Sequence, residues 1–250
     1  MENKLSCDCP DRPYIKGNIP LSAEVYRCYA TGLGDVCASL MLFHRWSLER
    51  RCIIRVSTWY PKGEKKKSYE GKARELLALI KCPGGYVELV DDAPTEPYPT
   101  NEDLKYQFYP FYNQWTRDQG TKIVTYQFDG KSHAEKNFDS FDAWERIENH
   151  LRNHGYTPVK LGAHLSIEQC AQLLAMSEFY IGVPSGMGVL SFGTGTPYYM
   201  IRNGLTNIGW LKSIRYGDFM ILNDEEDFYS ASVKGGEFYY ENCINPEMCR

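Results

Sequence analysis

The sequence predicts an α/β fold built on parallel sheets. Three observations carry that reading. Short β-branched or aromatic runs alternate with amphipathic stretches of helical period. Glycine-bearing turns join strand to helix at 31–35 and 183–188. Strands separated by helices require crossover connections, which put the strands parallel.

Taken in order, residues 24–30 alternate as a strand and lead into the turn Thr31-Gly32-Leu33-Gly34-Asp35. A helix is expected from about Val36, with Val36, Leu40 and Phe43 on one face. Residues 52–57 form the next strand, 72–80 a helix and 86–90 a further strand. Residues 91–120, rich in Pro, Tyr and Asp, read as a long loop and crossover. The second half resumes with a strand at 123–128 and a polar loop through Asp139. Phe141, Trp144, Ile147 and Leu151 then mark one face of a helix that Gly155 stops in the left-handed region. A short strand at 157–161 follows. Ser166 and Gln169 then stand at the spacing of a capping box. The rest is a strand at 178–183, a small-residue helix and a strand ending at Ile201. Two lobes are expected, 1–120 and 121–250, each with a parallel sheet and the first reduced.

Composition narrows function by exclusion. The 28 Lys and Arg against 32 Asp and Glu give a net charge of −4, which offers no general attraction to nucleic acid. Apolar content of 43% excludes a disordered chain. No apolar stretch approaches the roughly 20 residues of a membrane helix. The start, MENKLSCDCPDRP, lacks the basic-then-apolar order of a signal peptide, so a cytoplasmic location is expected. Nine cysteines in that setting argue for reduced thiols or a metal. Cys7 and Cys9 near the start, with Cys243 and Cys249 near the end, could together hold a structural zinc or iron.

Ligands of open parallel sheets bind beyond the carboxyl ends of the strands, which singles out two turns. Gly32 and Gly34 permit close backbone approach. Asp35 at the mouth of that turn is a candidate proton acceptor, with helix capping as its competing role. Ser185, Gly186, Met187 and Gly188 open the small-residue helix, where hydroxyl and N–H groups suit a diphosphate; tight packing is the competing reason for the glycines. Lys131, His133 and Lys136 lie in the polar loop after the 123–128 strand and could approach the same anion. His164 and Arg202, near strand ends, are weaker candidates, and His44 reads as structural. The basic run at 62–67 reads as a solvated loop. A dinucleotide fingerprint is missing its third glycine, and no Gly-Lys-Ser/Thr follows the second turn as a P-loop would need.

The stretch from His164 to Ile201, HLSIEQCAQLLAMSEFYIGVPSGMGVLSFGTGTPYYMI, resembles the C-terminal domain of GT-B glycosyltransferases, particularly family 9, the heptosyltransferase-like enzymes. Gly195-Thr196-Pro197 matches its closing element. GLGDV at 32–36 resembles the family's N-terminal turn, whose Asp activates the acceptor. KNFDSFDAWERI from Lys136 resembles its basic residue and first C-domain helix. The sequence departs from the pattern at Pro184, where the family has an acidic residue, and at Val189, near its later His. The resemblance implies transfer of a sugar from a nucleotide-sugar donor to an acceptor glycan or other hydroxyl compound. It also implies inversion, without specifying a heptose. No Asp-x-Asp diphosphate clamp stands out, so no catalytic cofactor is expected. Two other readings stand beside it: a viral-type glycosyltransferase acting on hydroxymethylated DNA bases, which the net charge disfavours, and a non-catalytic nucleotide-binding module.

Overall fold

A computed structural model describes residues 21–28, 32–58, 67–79, 87–96, 122–128, 141–201 and 219–222. The elements are β1 (Leu21–Arg27), α1 (Leu33–Arg50), β2 (Ile53–Ser57), α2 (Lys67–Leu79) and β3 (Val87–Leu89). They continue with β4 (Ile123–Gln127), α3 (Phe141–Asn153), β5 (Thr157–Lys160), α4 (Ile167–Met176) and β6 (Phe179–Gly182). Last come α5 (Gly186–Gly193), β7 (Tyr198–Ile201) and β8 (Phe219–Leu222). Two sheets result, ordered β1-β2-β3 and β5-β4-β6-β7-β8. Every strand pair is parallel. These are two Rossmann-like, GT-B-like lobes, the first with the smaller sheet.

Local chemistry sets most element ends. Gly155 takes a φ of 80°, the left-handed value that closes α3. At the start of α4 the Ser166 hydroxyl accepts from the Gln169 N–H at 3.1 Å, and the Gln169 side chain accepts from the Ser166 N–H at 2.9 Å. That reciprocal pair satisfies two donors the helix would otherwise leave open.

Packing then stacks the layers. Val124, Tyr126, Ile181 and Tyr199 on one face of the larger sheet bury against Ile147 and Leu151 of α3. The Tyr126 hydroxyl donates to Glu148, which also accepts from Arg152 at 2.7 Å. The opposite face carries Tyr180, Tyr198 and Met200 and packs on α4 and α5. Those two helices in turn meet α2 and α1, which cover one face of the smaller sheet. The order is smaller sheet, α1 and α2, α5 and α4, larger sheet, α3. One hydrophobic core therefore runs from Tyr26, Ile54 and Val56 through Leu40 and Phe43 to Val189, Leu190 and Tyr198.

α1 and α5 lie side by side and point the same way. Gly186 abuts Leu33 and Gly34, and Cys37 Sγ lies 3.8 Å from the Val189 carbonyl. The contact moves on three residues in both helices, as parallel neighbours require. Sandwiched between the sheets, α1 is buried almost all round: Val36 through His44 are each at most 2% exposed.

Three boundaries differ from expectation. α1 begins at Leu33 rather than near Val36, because Gly32 is the N-cap and the following residues already turn. β1 starts at Leu21, and Tyr29 and Ala30 lie outside the described residues. α2 starts at Lys67, the last residue of the basic run. The short strand β8 was not expected from the sequence; it pairs with β7 from Tyr198–Phe219 to Ile201–Leu222.

Candidate functional site

The turns after β1 and β6 meet where both sheets end. At the first, Gly32 is extended (φ −156°, ψ 171°) and no side chain caps the helix. Asp35 therefore sits inside the first turn of α1, not before it, and it is not the N-cap residue. It is half-buried, and its Oδ2 lies over Gly32, 3.5 Å from where a Cβ would stand. Its carbonyl accepts from the Ser39 hydroxyl at 2.8 Å. A carboxylate in the first turn faces the positive end of the helix, which stabilises it there.

Below Asp35, Cys28 and Cys37 are sealed in the core. Burial pushes the Cys28 thiol up to about 12; its bond with the Ser39 hydroxyl works against this and the Asp35 charge adds to it. Burial, with a smaller contribution from Cys28, raises the Cys37 thiol also.

At the second turn Ser185 is the N-cap of α5, again extended, yet its hydroxyl does not cap the helix. It donates instead to Gln127 Oε1 at 3.2 Å. The first N–H groups of a helix have no intrahelical acceptor, so those of Gly186 and Met187 lie at the α5 start without a partner in their own helix. Gly188 differs. Its N–H bonds the Ser185 carbonyl at 3.1 Å, so it is committed within the turn.

The glycines here are explained by packing. A Cβ on Gly188 would lie 2.5 Å from the Tyr198 ring. A Cβ on Gly186 would lie 3.0 Å from both the Gly34 nitrogen and Leu33 Cβ. Tyr198, fully buried, holds the turn from below by donating to the Val183 carbonyl at 2.9 Å. Two helix N-termini thus converge, each equivalent to roughly half a positive charge. Asp35 supplies a negative charge beside them.

Of the residues singled out from sequence, Gly32, Gly34, Asp35, Ser185, Gly186, Met187 and Gly188 lie on these two adjoining turns. Lys131, His133, Lys136, Arg202 and all four terminal cysteines, Cys7, Cys9, Cys243 and Cys249, lie outside the described residues. His164 is exposed beyond β5, and His44 is buried in α1. Sequence reasoning missed Gln127 and Tyr198. A polar residue closing an otherwise apolar strand marked the first; nothing local marked the second. Among the described residues no three His, Cys, Asp or Glu side chains gather as a metal site. No helix among them is long and apolar enough to cross a membrane.

Two parallel sheets, with helix starts converging at their carboxyl ends, define the GT-B class of architecture. No family model matches the chain, and no curated protein matches it by sequence. Solved structures do match in fold. The E. coli ADP-heptose lipopolysaccharide heptosyltransferase II aligns with a TM-score of 0.53 at 9% identity, over 84% of this chain and 98% of that one. E. coli heptosyltransferase WaaC with ADP aligns at 0.50 and 12% identity, over 84% and 98%. The iron-containing dodecameric glycosyltransferase TibC of enterotoxigenic E. coli H10407 aligns at 0.49 and 15% identity, over 73% of this chain. This chain spans 58% of that TibC chain and 66% of TibC in its ADP-heptose complex. At these identities the likeness is one of fold.

Proposed function

We propose that the chain is a nucleotide-sugar-dependent glycosyltransferase, inverting and independent of a catalytic metal. Residues 1–120 form its acceptor side and 121–250 its donor side. The observation that carries this reading is the meeting of the Asp35 turn with the Ser185 turn at the carboxyl ends of both sheets. Asp35 takes the proton of the acceptor hydroxyl as that oxygen attacks the sugar carbon. The bond to the donor phosphate breaks on the opposite face. The departing diphosphate gathers negative charge, and the N–H groups of Gly186 and Met187 donate to it, joined by the Ser185 hydroxyl once it turns away from Gln127. Lys136, Lys131 and His133 are assigned to the same diphosphate on sequence grounds. The fold shared with heptosyltransferases supports the donor class.

Asp35→Asn tests the assignment. Transfer per folded molecule should fall roughly 10²–10⁴-fold, the range of a positioned base, while nucleoside diphosphate affinity stays within about twofold. A normal rate in a folded Asp35→Asn protein ends the catalytic role of Asp35. Wild-type protein that binds a nucleotide sugar but neither transfers nor hydrolyses it is a binding module instead.

A further inference from the structure

On the face of the smaller sheet turned away from α1, two polar atoms have no hydrogen-bond partner among the described residues. Arg27 closes β1 and Ser57 closes β2, and the two are register partners, so their side chains leave the sheet on the same face. Tyr26, Cys28, Ile54 and Val56 take the other face, in the core with α1. Ser57 is 0% exposed and its hydroxyl has no hydrogen-bond partner among the described residues; Arg27 Nε is likewise buried and unpartnered. One step back along the same face, Arg55 is paired with Asp92. The sheet thus pairs Arg55 and leaves the Nε of Arg27 without a partner among the described residues.

Burying a guanidinium N–H and a hydroxyl without partners opposes folding. A site that tolerates this holds its donors ready for a group that the described residues do not supply. Guanidinium and hydroxyl both donate, and the guanidinium is always charged, so the matching ligand group is an oxyanion. The place is also that of a ligand site, since both residues end parallel strands at the edge from which α1 and Asp35 follow.

We infer that Arg27 and Ser57 form a subsite for an oxyanion, a carboxylate or a phosphate, carried by the acceptor substrate. The assignment to the acceptor rests on the glycosyltransferase reading above; the anion site itself does not. An acceptor anchored by its charged group on this edge leaves a neutral hydroxyl to be presented elsewhere, which separates binding from proton removal.

Thermal-shift titrations at constant ionic strength test it, because a ligand held only by the folded state raises the melting temperature. The probes are inorganic phosphate, a hexose phosphate and a hexuronic acid, each with and without a nucleoside diphosphate. In wild-type protein one of the sugar anions should stabilise more than inorganic phosphate does, additively with the nucleoside diphosphate. Arg27→Met should weaken that sugar anion at least about tenfold (~1.4 kcal/mol) and Ser57→Ala about threefold. Nucleoside diphosphate binding should be unchanged in both. Arg27→Met should also melt no lower than wild type without ligand, since it removes an unsatisfied buried donor. Equal anion affinity in wild type and a folded Arg27→Met protein overturns the subsite. Inorganic phosphate binding as well as both sugar anions overturns its assignment to an acceptor. Arg27-dependent sugar-anion binding in a protein indifferent to nucleotides keeps the subsite and removes the glycosyltransferase reading instead.

Discussion

Gly186 stands against the first turn of α1, so close that a Cβ on it would lie 3.0 Å from the Gly34 nitrogen. The two helix starts are in contact there because neither residue has a side chain to hold them apart. Their positive ends are brought together in the same step, and the spot becomes attractive to an anion before any side chain is considered.

Gly186→Ala should therefore lower stability by about 1–3 kcal/mol, the usual range for overpacking. Gly186→Val should cost more. Combining either with Leu33→Gly, which removes the Cβ that makes the other close contact, should recover part of the loss in a double-mutant cycle. Denaturant melts of the four proteins check this. Additive losses would show that Leu33 and Gly186 do not share the strain.

Gly188→Ala is expected to be worse tolerated than Gly186→Ala. Its Cβ would meet the ring of Tyr198 at 2.5 Å, and that ring is wedged under α5 with its hydroxyl tied to the Val183 carbonyl. Tyr198→Phe keeps the wedge and loses the bond, at about 1 kcal/mol. A Gly188→Ala protein that melts like wild type would contradict the packing described.

Asp35 should matter to stability as well as to turnover. In the first turn of α1, beside the start of α5, its charge opposes two helix dipoles. Asp35→Asn should lower stability by about 0.3–1 kcal/mol at low salt. The difference should shrink as ionic strength rises. Melting temperatures of both proteins across a salt series read it directly, and a difference indifferent to salt would assign the effect to hydrogen bonding instead.

Alkaline pH should unfold the protein through its buried thiols. The Cys28 thiol moves from 9.0 to about 12 on folding, so the folded state keeps a proton that the unfolded state gives up. The stability this provides is complete below about pH 9 and is lost as pH rises towards 12. The slope is roughly 1.4 kcal/mol per pH unit for one proton. Cys28→Ala should flatten the descent by about one proton across that window. Unchanged slopes in denaturant melts at stepped pH would show that Cys28 is not the group responsible.

Much of the fold was legible in residues whose signals are local. The capping box at Ser166 and Gln169, the left-handed stop at Gly155 and the apolar face of α3 depend on neighbours within a turn or two, and all three are present. The start of α1 was not legible because its N-cap is a glycine with no side-chain partner, leaving no cap residue to mark it. The burial of α1 did leave a signal. The run from Val36 to Phe43 is apolar on more than one face, as a helix between two layers must be.

The sequence by itself determined the alternation of strands and helices, the parallel sheets and the two glycine-bearing turns. Hydrophobic period and capping chemistry act over a few residues, so a single chain displays them. Only the tertiary structure decided that α1 and α5 lie parallel in one shared core, that Gly188 makes room for Tyr198, and that Ser185 turns to Gln127 rather than capping its helix. It alone set the Arg27 Nε and the Ser57 hydroxyl on one sheet face with no hydrogen-bond partner for either among the described residues. Those relations join residues dozens of positions apart, and they follow from which faces can be buried together, a quantity that no local pattern records.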